Sequence, residues 1–184
     1  MAGLDLGEEF GPKYLTGLTN LPMAALREKR EHCVELEMEL SYVRRLAQAR
    51  IDLIIAESER RHLGLGPTTT EDLVEQLPYI LGDRSRGVGA GRLPSLLAPS
   101  NDAQSSLAGR VEEILPSDHL SSIGELPTRA LTSVLDELCA LERDISAERR
   151  ALHDVIDRLQ EELVRRYRTG EATVEALLPG AGDQ

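Results

Sequence analysis

The sequence predicts an all-α fold, in which two long helices form an antiparallel coiled coil and are joined by a long, partly helical linker. Its 184 residues include no Trp and one Phe, whereas Leu, Ala, Glu and Arg are abundant, which is typical of long helices that pair along a seam. Two stretches of about forty residues contain neither Gly nor Pro. These stretches also repeat one another, and a repeat identifies elements that act together.

The repeat is clearest in five polar positions on each stretch. The first copy reads Glu-x3-Ser-x2-Arg-x3-Gln-x3-Asp, and the second begins 142 − 37 = 105 positions later and differs only by His in place of Gln. Leu-Pro dipeptides ahead of both stretches recur at the same offset. The sequence therefore predicts two copies of one helix. The polar positions are Glu37, Ser41, Arg44, Gln48 and Asp52 in the first copy and Glu142, Ser146, Arg149, His153 and Asp157 in the second.

Composition divides the chain into five segments. Asn20 is the expected N-cap of the first helix, and Gly64 is its expected stop. Between the long helices, short helices are expected just after Thr70 and near 103–115, with a flexible Gly-, Pro- and Ser-rich excursion between them. The expected segments are a flexible leader (1–19), coiled-coil helix 1 (20–63), a linker with short helices (64–125), coiled-coil helix 2 (126–169) and a tail (170–184).

The charge and the cysteines exclude several classes of protein. The formal net charge of −11 argues against direct DNA binding, which normally uses a basic patch, and fits a basic protein partner better. Cys33 and Cys139 are not at equivalent repeat positions and are expected to be small buried hydrophobic residues. The acidic start lacks the features of a signal peptide, and no apolar run approaches about 20 residues. We therefore expect a cytoplasmic protein with no membrane contact.

Neither an enzyme nor a metal site is predicted. The Gly87-x-Gly89-x-Gly91 pattern lacks the preceding strand and the following Lys of a phosphate loop, so it is interpreted as linker. The pair His153-Asp154 has no complementary His spacing elsewhere that would complete a metal site.

On a helical wheel, the five motif positions form one stripe about 80° wide and on the order of 22 Å long. The apolar seam flanks this stripe in both helices and on the same hand. Because of that shared hand, antiparallel packing brings the two stripes to one side as a joint site, whereas parallel packing separates them. The seam residues are Cys33, Leu36, Leu40, Val43, Ala47, Ile51 and Ile54 in the first copy and Val134, Leu138, Leu141, Ile145, Leu152, Ile156, Leu159 and Leu163 in the second.

The chemistry of the stripe suits a guanine nucleotide. Carboxylates accept hydrogen bonds from the N1–H and N2–H2 edge of guanine, and Arg binds O6 and N7 or a phosphate. Two similar half-sites imply a ligand with its own approximate twofold symmetry, and a cyclic dinucleotide meets that requirement. The alternative is a solvated coiled-coil flank held by Glu and Arg pairs, in a structural or scaffolding protein that binds no nucleotide.

The doubled motif on two helices of a small Leu- and Arg-rich chain resembles the RsiG family of anti-sigma factors from sporulating actinobacteria. The resemblance covers roughly residues 20–63 and 126–168. It implies an antiparallel coiled coil that binds two molecules of cyclic di-GMP through all ten motif positions. The loaded protein would then sequester a WhiG-type sporulation sigma factor from RNA polymerase. His153 departs from the Gln of the pattern. Its imidazole can donate or accept one hydrogen bond but cannot mimic both ends of an amide.

Other repeated arginines lie outside the motif. Arg45 and Arg150 point away from the stripe and are as consistent with surface charges as with ligand contacts. The pairs Arg60-Arg61 and Arg165-Arg166 lie near the helix C-termini, where interaction with the helix dipole explains them.

Overall fold

The computed structural model describes residues 10, 13–66, 71, 75 and 108–171. Within that part of the chain the α-helices are α1 (Met23–His62), α2 (Gly109–Ile114) and α3 (Thr128–Thr169), and Leu18–Asn20 and Ser117–Glu125 are 3₁₀ segments. The described residues include no strand, and α1 and α3 pack against each other, which confirms the predicted fold class.

Several expectations concern other parts of the chain. Apart from residues 71 and 75, the helix expected after Thr70 lies outside the described residues, as do the Gly-, Pro- and Ser-rich excursion and the tail beyond residue 171. None of the helices in the described ranges combines the length and the apolarity that crossing a bilayer requires.

A proline precedes each long helix and sets its first residue. The carbonyls of Pro22 and Pro127 accept hydrogen bonds from the amides of Leu26 and Leu131, at 3.0 and 3.1 Å. A residue that precedes proline is disfavoured in the α conformation, so neither helix begins before its proline. Asn20 is therefore not the N-cap of α1 and lies in the preceding 3₁₀ segment.

A glycine ends each long helix. Gly64 has a φ of 71°, in the left-handed region that glycine adopts without strain. Its amide donates to the carbonyl of Arg61 at 3.0 Å, and the amide of Leu65 donates to that of Arg60 at 3.2 Å, which is the Schellman arrangement. Gly170 follows α3 with a φ of 73°.

The chain forms two compact units. We call the residues before Glu39 and after Ser146 the terminal unit, and Glu39–Ser146 the central unit. In the terminal unit Arg27 donates to the hydroxyl of Tyr167, and Arg149 donates to Glu37. Later residues of α1 thus meet earlier residues of α3, so the helices run antiparallel there. The buried apolar residues of this unit are Phe10, Leu26, Cys33, Leu152, Val155, Leu159 and Leu163.

Two aromatic residues that precede α1, Phe10 and Tyr14, pack near its beginning. The rings of Phe10 and Tyr14 lie 4.8 Å apart, and the ammonium group of Lys29 lies 3.7 Å from the centroid of the Tyr14 ring. The thiol of Cys33, which is fully buried, donates to the Tyr14 hydroxyl at 3.6 Å. Cys33 is thus a packed residue, as the sequence predicts, while Cys139 is half-buried, and both are free thiols.

In the central unit the helices are also antiparallel. Gln48 donates to Glu142, and Arg61 lies 3.4 Å from the hydroxyl of Thr128, so the register again runs in opposite directions along α1 and α3. Side chains from the end of the linker contribute to this core. A coiled coil made only of two helices would lack this contribution. The buried apolar residues are Leu40, Val43, Ala47, Leu53, Ile54, Val111, Leu115, Ile123, Leu131, Leu138, Leu141 and Ile145.

Arg50 of α1 fastens the end of the linker. It is only 4% exposed, and it donates to the carbonyl of Leu115 at 2.9 Å, to the hydroxyl of Ser117 at 3.0 Å and to the carboxylate of Glu112. The Ser117 hydroxyl bond and the Arg50 guanidinium lower the pKa of Glu112. Since Arg50 lies about 140° from Glu37 around the helix axis, the linker packs on the side of α1 away from the motif stripe.

Candidate functional site

In the terminal unit, a cluster forms around the Glu37 carboxylate. Arg149 donates to Glu37 Oε1 twice, from Nε at 3.1 Å and from Nη2 at 2.6 Å. The Nε2 atom of His153 lies 3.4 Å from the same oxygen. The Glu37 and Arg149 side chains are 17% and 21% exposed, so their ion pair is largely shielded from water. The first-copy Glu is therefore held by the Arg of the second copy, and the His of the second copy lies beside it.

In the central unit, a second cluster forms around the Glu142 carboxylate. Gln48 Nε2 donates to Glu142 Oε1 at 3.4 Å, and Arg44 Nη1 lies 3.7 Å from the same oxygen. Ser146, one turn along α3, donates its hydroxyl to that oxygen at 2.8 Å. Here the second-copy Glu meets the Arg and the Gln of the first copy. The two clusters thus use the same repeat positions, with the roles of the copies exchanged.

The two clusters differ in how firmly the arginine is held. Arg149 makes two hydrogen bonds to its Glu, whereas Arg44 approaches Glu142 only at 3.7 Å. The Nε atom of Arg44 is buried and has no hydrogen-bond partner. A buried donor left without an acceptor costs about 1–3 kcal/mol, so the environment of Arg44 is unfavourable in this arrangement.

The other motif residues lie beside these clusters. Ser41 is buried and Asp52 is half-buried, both on α1 in the central unit, and each makes further contacts. Asp157 is exposed on α3 and makes no ion pair with any described residue. Seven of the ten predicted positions thus lie in the two clusters, and Asp157 remains available to an incoming hydrogen-bond donor.

The arrangement offers acceptors and fixed cations together. Carboxylates and guanidinium groups at the edge of an apolar seam can bind the edge of a purine base and a phosphate. Within the described ranges, no group of three or more His, Cys, Asp or Glu side chains has an arrangement that could hold a metal ion.

A second repeated pair, which the sequence interpretation assigned to the helix dipole, has a more specific structural role. Arg61 donates to Glu57 at 2.5 Å and to the carbonyl of Gly124 at 3.0 Å, in the segment that precedes α3. Arg166 donates to Glu162 at 2.7 Å and to the carbonyl of Leu18 at 2.6 Å, in the segment that precedes α1. In each unit a Glu-Arg pair at the end of one long helix therefore holds the chain that enters the other.

The arginines at the end of α3 also lower the pKa of Glu162. Hydrogen bonds from Arg165 and then from Arg166 lower its pKa from 4.5 to about 2. Glu57 and Arg61 recur at the 105-residue offset as Glu162 and Arg166, and this recurrence is the sequence signal that could have identified the two Glu-Arg pairs. A dipole effect alone does not require a glutamate one turn before the arginine.

The fold and the clusters define a class of protein: a small all-α protein in which two long antiparallel helices carry a duplicated polar motif beside an apolar seam. The model of the RsiG-like family matches residues 12–81 and 117–180, well over half of the chain. The chain belongs to the RsiG-like family. The two matched ranges begin 117 − 12 = 105 positions apart, which is the offset of the internal repeat. A comparison with curated proteins gave no match.

Membership of this family indicates the general role. It suggests an anti-sigma factor, and it implies an RNA polymerase sigma factor as the partner. The RsiG-like family is not an enzyme family, in agreement with the sequence analysis.

Proposed function

We propose that this RsiG-like protein is a cytoplasmic anti-sigma factor that binds cyclic di-GMP through its two motif copies and, when loaded, sequesters a WhiG-type sporulation sigma factor. Two ligand molecules would be bound per protein chain. High cyclic di-GMP would then keep the genes that depend on this sigma factor silent.

The reciprocal use of the two motif copies carries this proposal. In the terminal unit Glu37 meets Arg149, and in the central unit Glu142 meets Arg44. Each cluster needs residues from both helices, so neither motif copy supplies a complete set of groups. This requirement supports a ligand with twofold character, because the same contacts are offered twice with the copies exchanged.

The chemistry of the clusters supports guanine in particular. A carboxylate can accept from both N1–H and N2–H2 of guanine, whereas adenine offers no matching pair of donors. The buried Nε of Arg44 supports an acceptor such as a phosphate oxygen or guanine O6. A site that hydrogen-bonds one base edge rejects analogues that leave its polar groups unpaired.

A structural coiled coil without a ligand is the alternative, and one observation favours it. The Glu37–Arg149 ion pair is what a coiled-coil flank uses to fix its partner and register. A flank of this kind does not account for Arg44, whose Nε is buried without an acceptor although its carboxylate partner is nearby. For this reason we favour the ligand-binding function.

Titration calorimetry with cyclic di-GMP separates the two functions. We expect saturable binding at micromolar ligand and no comparable binding of cyclic di-AMP, which has the same phosphodiester ring but adenine bases. A pull-down of a WhiG-type sigma factor with and without cyclic di-GMP tests the second half of the proposal. No saturable binding of cyclic di-GMP would leave the structural alternative, and equal capture of the sigma factor in both conditions would remove the ligand dependence.

A further inference from the structure

A second arginine of α1 shares the unusual environment of Arg44. Among the residues that the structure describes, two buried side-chain nitrogen atoms lack a hydrogen-bond partner, and they are the Nε atoms of Arg30 and Arg44. Arg44 belongs to the motif, and Arg30 does not. Buried donors without an acceptor are rare in folded proteins, so each calls for a specific explanation.

Arg30 lies on the motif stripe. It precedes Glu37 by seven residues on α1, a separation that places the two residues about 20° apart around the helix axis and about 10 Å apart along it. The stripe of the first copy therefore extends two turns beyond the motif. The position equivalent to Arg30 in the second copy is 30 + 105 = 135, which is Leu135. A search for repeated polar positions cannot find Arg30 for this reason.

The other charged motif residues of the terminal unit have a net negative charge, which Arg30 can offset. The helices run antiparallel there, so the residues of α3 that follow His153 pass the residues of α1 that precede Glu37, and the next motif residue is Asp157. The Glu37 and Arg149 side chains neutralise each other, and Asp157 adds an exposed carboxylate. Without Arg30, these groups would oppose the approach of an anionic ligand.

We propose that Arg30 is an eleventh residue of the nucleotide site and binds a phosphodiester oxygen of the ligand through its guanidinium group. This inference rests on the proposed function and adds to it the residue that receives a phosphate. Arginine suits the role because its charge is fixed and its planar set of donors matches phosphate oxygens. Only the first copy supplies this contact, so the two halves of the site hold the ligand differently.

The test compares three full-length variants by titration calorimetry with cyclic di-GMP. Arg30→Gln removes the charge on the stripe, and Arg30→Lys keeps a charge but loses the planar donors. Arg158→Gln is the matched control, because it removes an arginine that is 69% exposed and lies about 160° from Glu142 around α3, away from the stripe. We expect roughly 10- to 100-fold weaker binding for Arg30→Gln, a smaller loss for Arg30→Lys and little change for Arg158→Gln.

Salt dependence supplies a readout that a merely structural role would not change. Wild-type binding is expected to weaken between 0.05 and 0.5 M NaCl, and Arg30→Gln is expected to depend less on salt, because the phosphate contact that salt screens is missing. Thermal melting checks that the variants fold. If cyclic di-GMP binds the wild type and Arg30→Gln equally well, the inference is wrong and the proposed function stands. Equal losses for Arg30→Gln and Arg158→Gln would also overturn it, whereas a wild type that does not bind would remove both.

Discussion

The Glu37–Arg149 ion pair leads to a prediction that can be tested without any ligand. We expect a double-mutant cycle of Glu37→Gln and Arg149→Met to give a coupling energy of about 1.5–2 kcal/mol in urea unfolding. The estimate lies above the roughly 0.2–1 kcal/mol of exposed pairs, because the two side chains are only 17% and 21% exposed and share two hydrogen bonds. It lies below the 3–5 kcal/mol lost when one partner of a fully buried pair is removed.

The equivalent pair in the central unit is the matched comparison. Arg44 and Glu142 are 3.7 Å apart, and Gln48 and Ser146 already donate to the same carboxylate oxygen. We therefore expect a coupling energy below about 0.5 kcal/mol for Arg44→Met with Glu142→Gln. Equal coupling energies in the two cycles would contradict the difference between the clusters, and a value near zero for the Glu37 cycle would show that this pair does not form in solution.

Three further predictions concern the ligand, the linker and the acid stability. Arg44→Ala and Arg149→Ala should each abolish most binding of cyclic di-GMP in calorimetry, because each cluster depends on both copies. Arg50→Met should lower the free energy of unfolding by about 3 kcal/mol and speed amide hydrogen exchange in residues 108–123, because it removes the cation that holds the linker. Glu162→Gln should reduce the pH dependence of stability between pH 4.5 and about 2, since the lowered pKa of Glu162 stabilises the fold above that window and this contribution is lost on protonation.

Each of these predictions has a control or a contradicting result. Intact affinity in either arginine variant would remove the argument for two interdependent half-sites. For the linker, Arg45→Met replaces an exposed arginine five residues earlier on α1 and should leave the hydrogen exchange unchanged. For acid stability, Glu161→Gln removes a carboxylate that is 71% exposed, and an equal effect of this change would contradict the assignment to Glu162.

The long helices and their packing could be predicted from the sequence because their signals are local. The absence of Gly and Pro, the stop at Gly64 and the period of the apolar seam all act within a few turns. The antiparallel direction followed from a less direct argument, the shared hand of stripe and seam. The contacts of Glu37 with Arg149 and of Gln48 with Glu142 confirm that direction within each unit.

The partners within the candidate site could not be predicted, because they depend on the axial register of two separate helices. The repeat identifies Glu37 and Arg149 as equivalent to Glu142 and Arg44, but it does not show that each Glu meets the Arg of the other copy. The packing of the linker against α1 could not be predicted from the sequence either. Its only signal is Arg50, a charged residue where the second copy has the buried Val155, and such a difference has many possible causes.

The two copies of the repeat share some residues that stabilise the fold, and they differ at residues that lie in the two clusters. Positions that are identical at the 105-residue offset include Arg61 and Arg166, and each of these arginines binds the segment that precedes the other long helix. Those contacts involve none of the ten motif residues. Differences at Gln48 and His153, in contrast, change a group that touches the motif carboxylate in each cluster. An amide offers a donor and an acceptor, whereas an imidazole offers one of each only when it is neutral. Replacing His153 by Gln should therefore make the two clusters more alike, and a ligand titration of that variant would measure how far the difference between them matters.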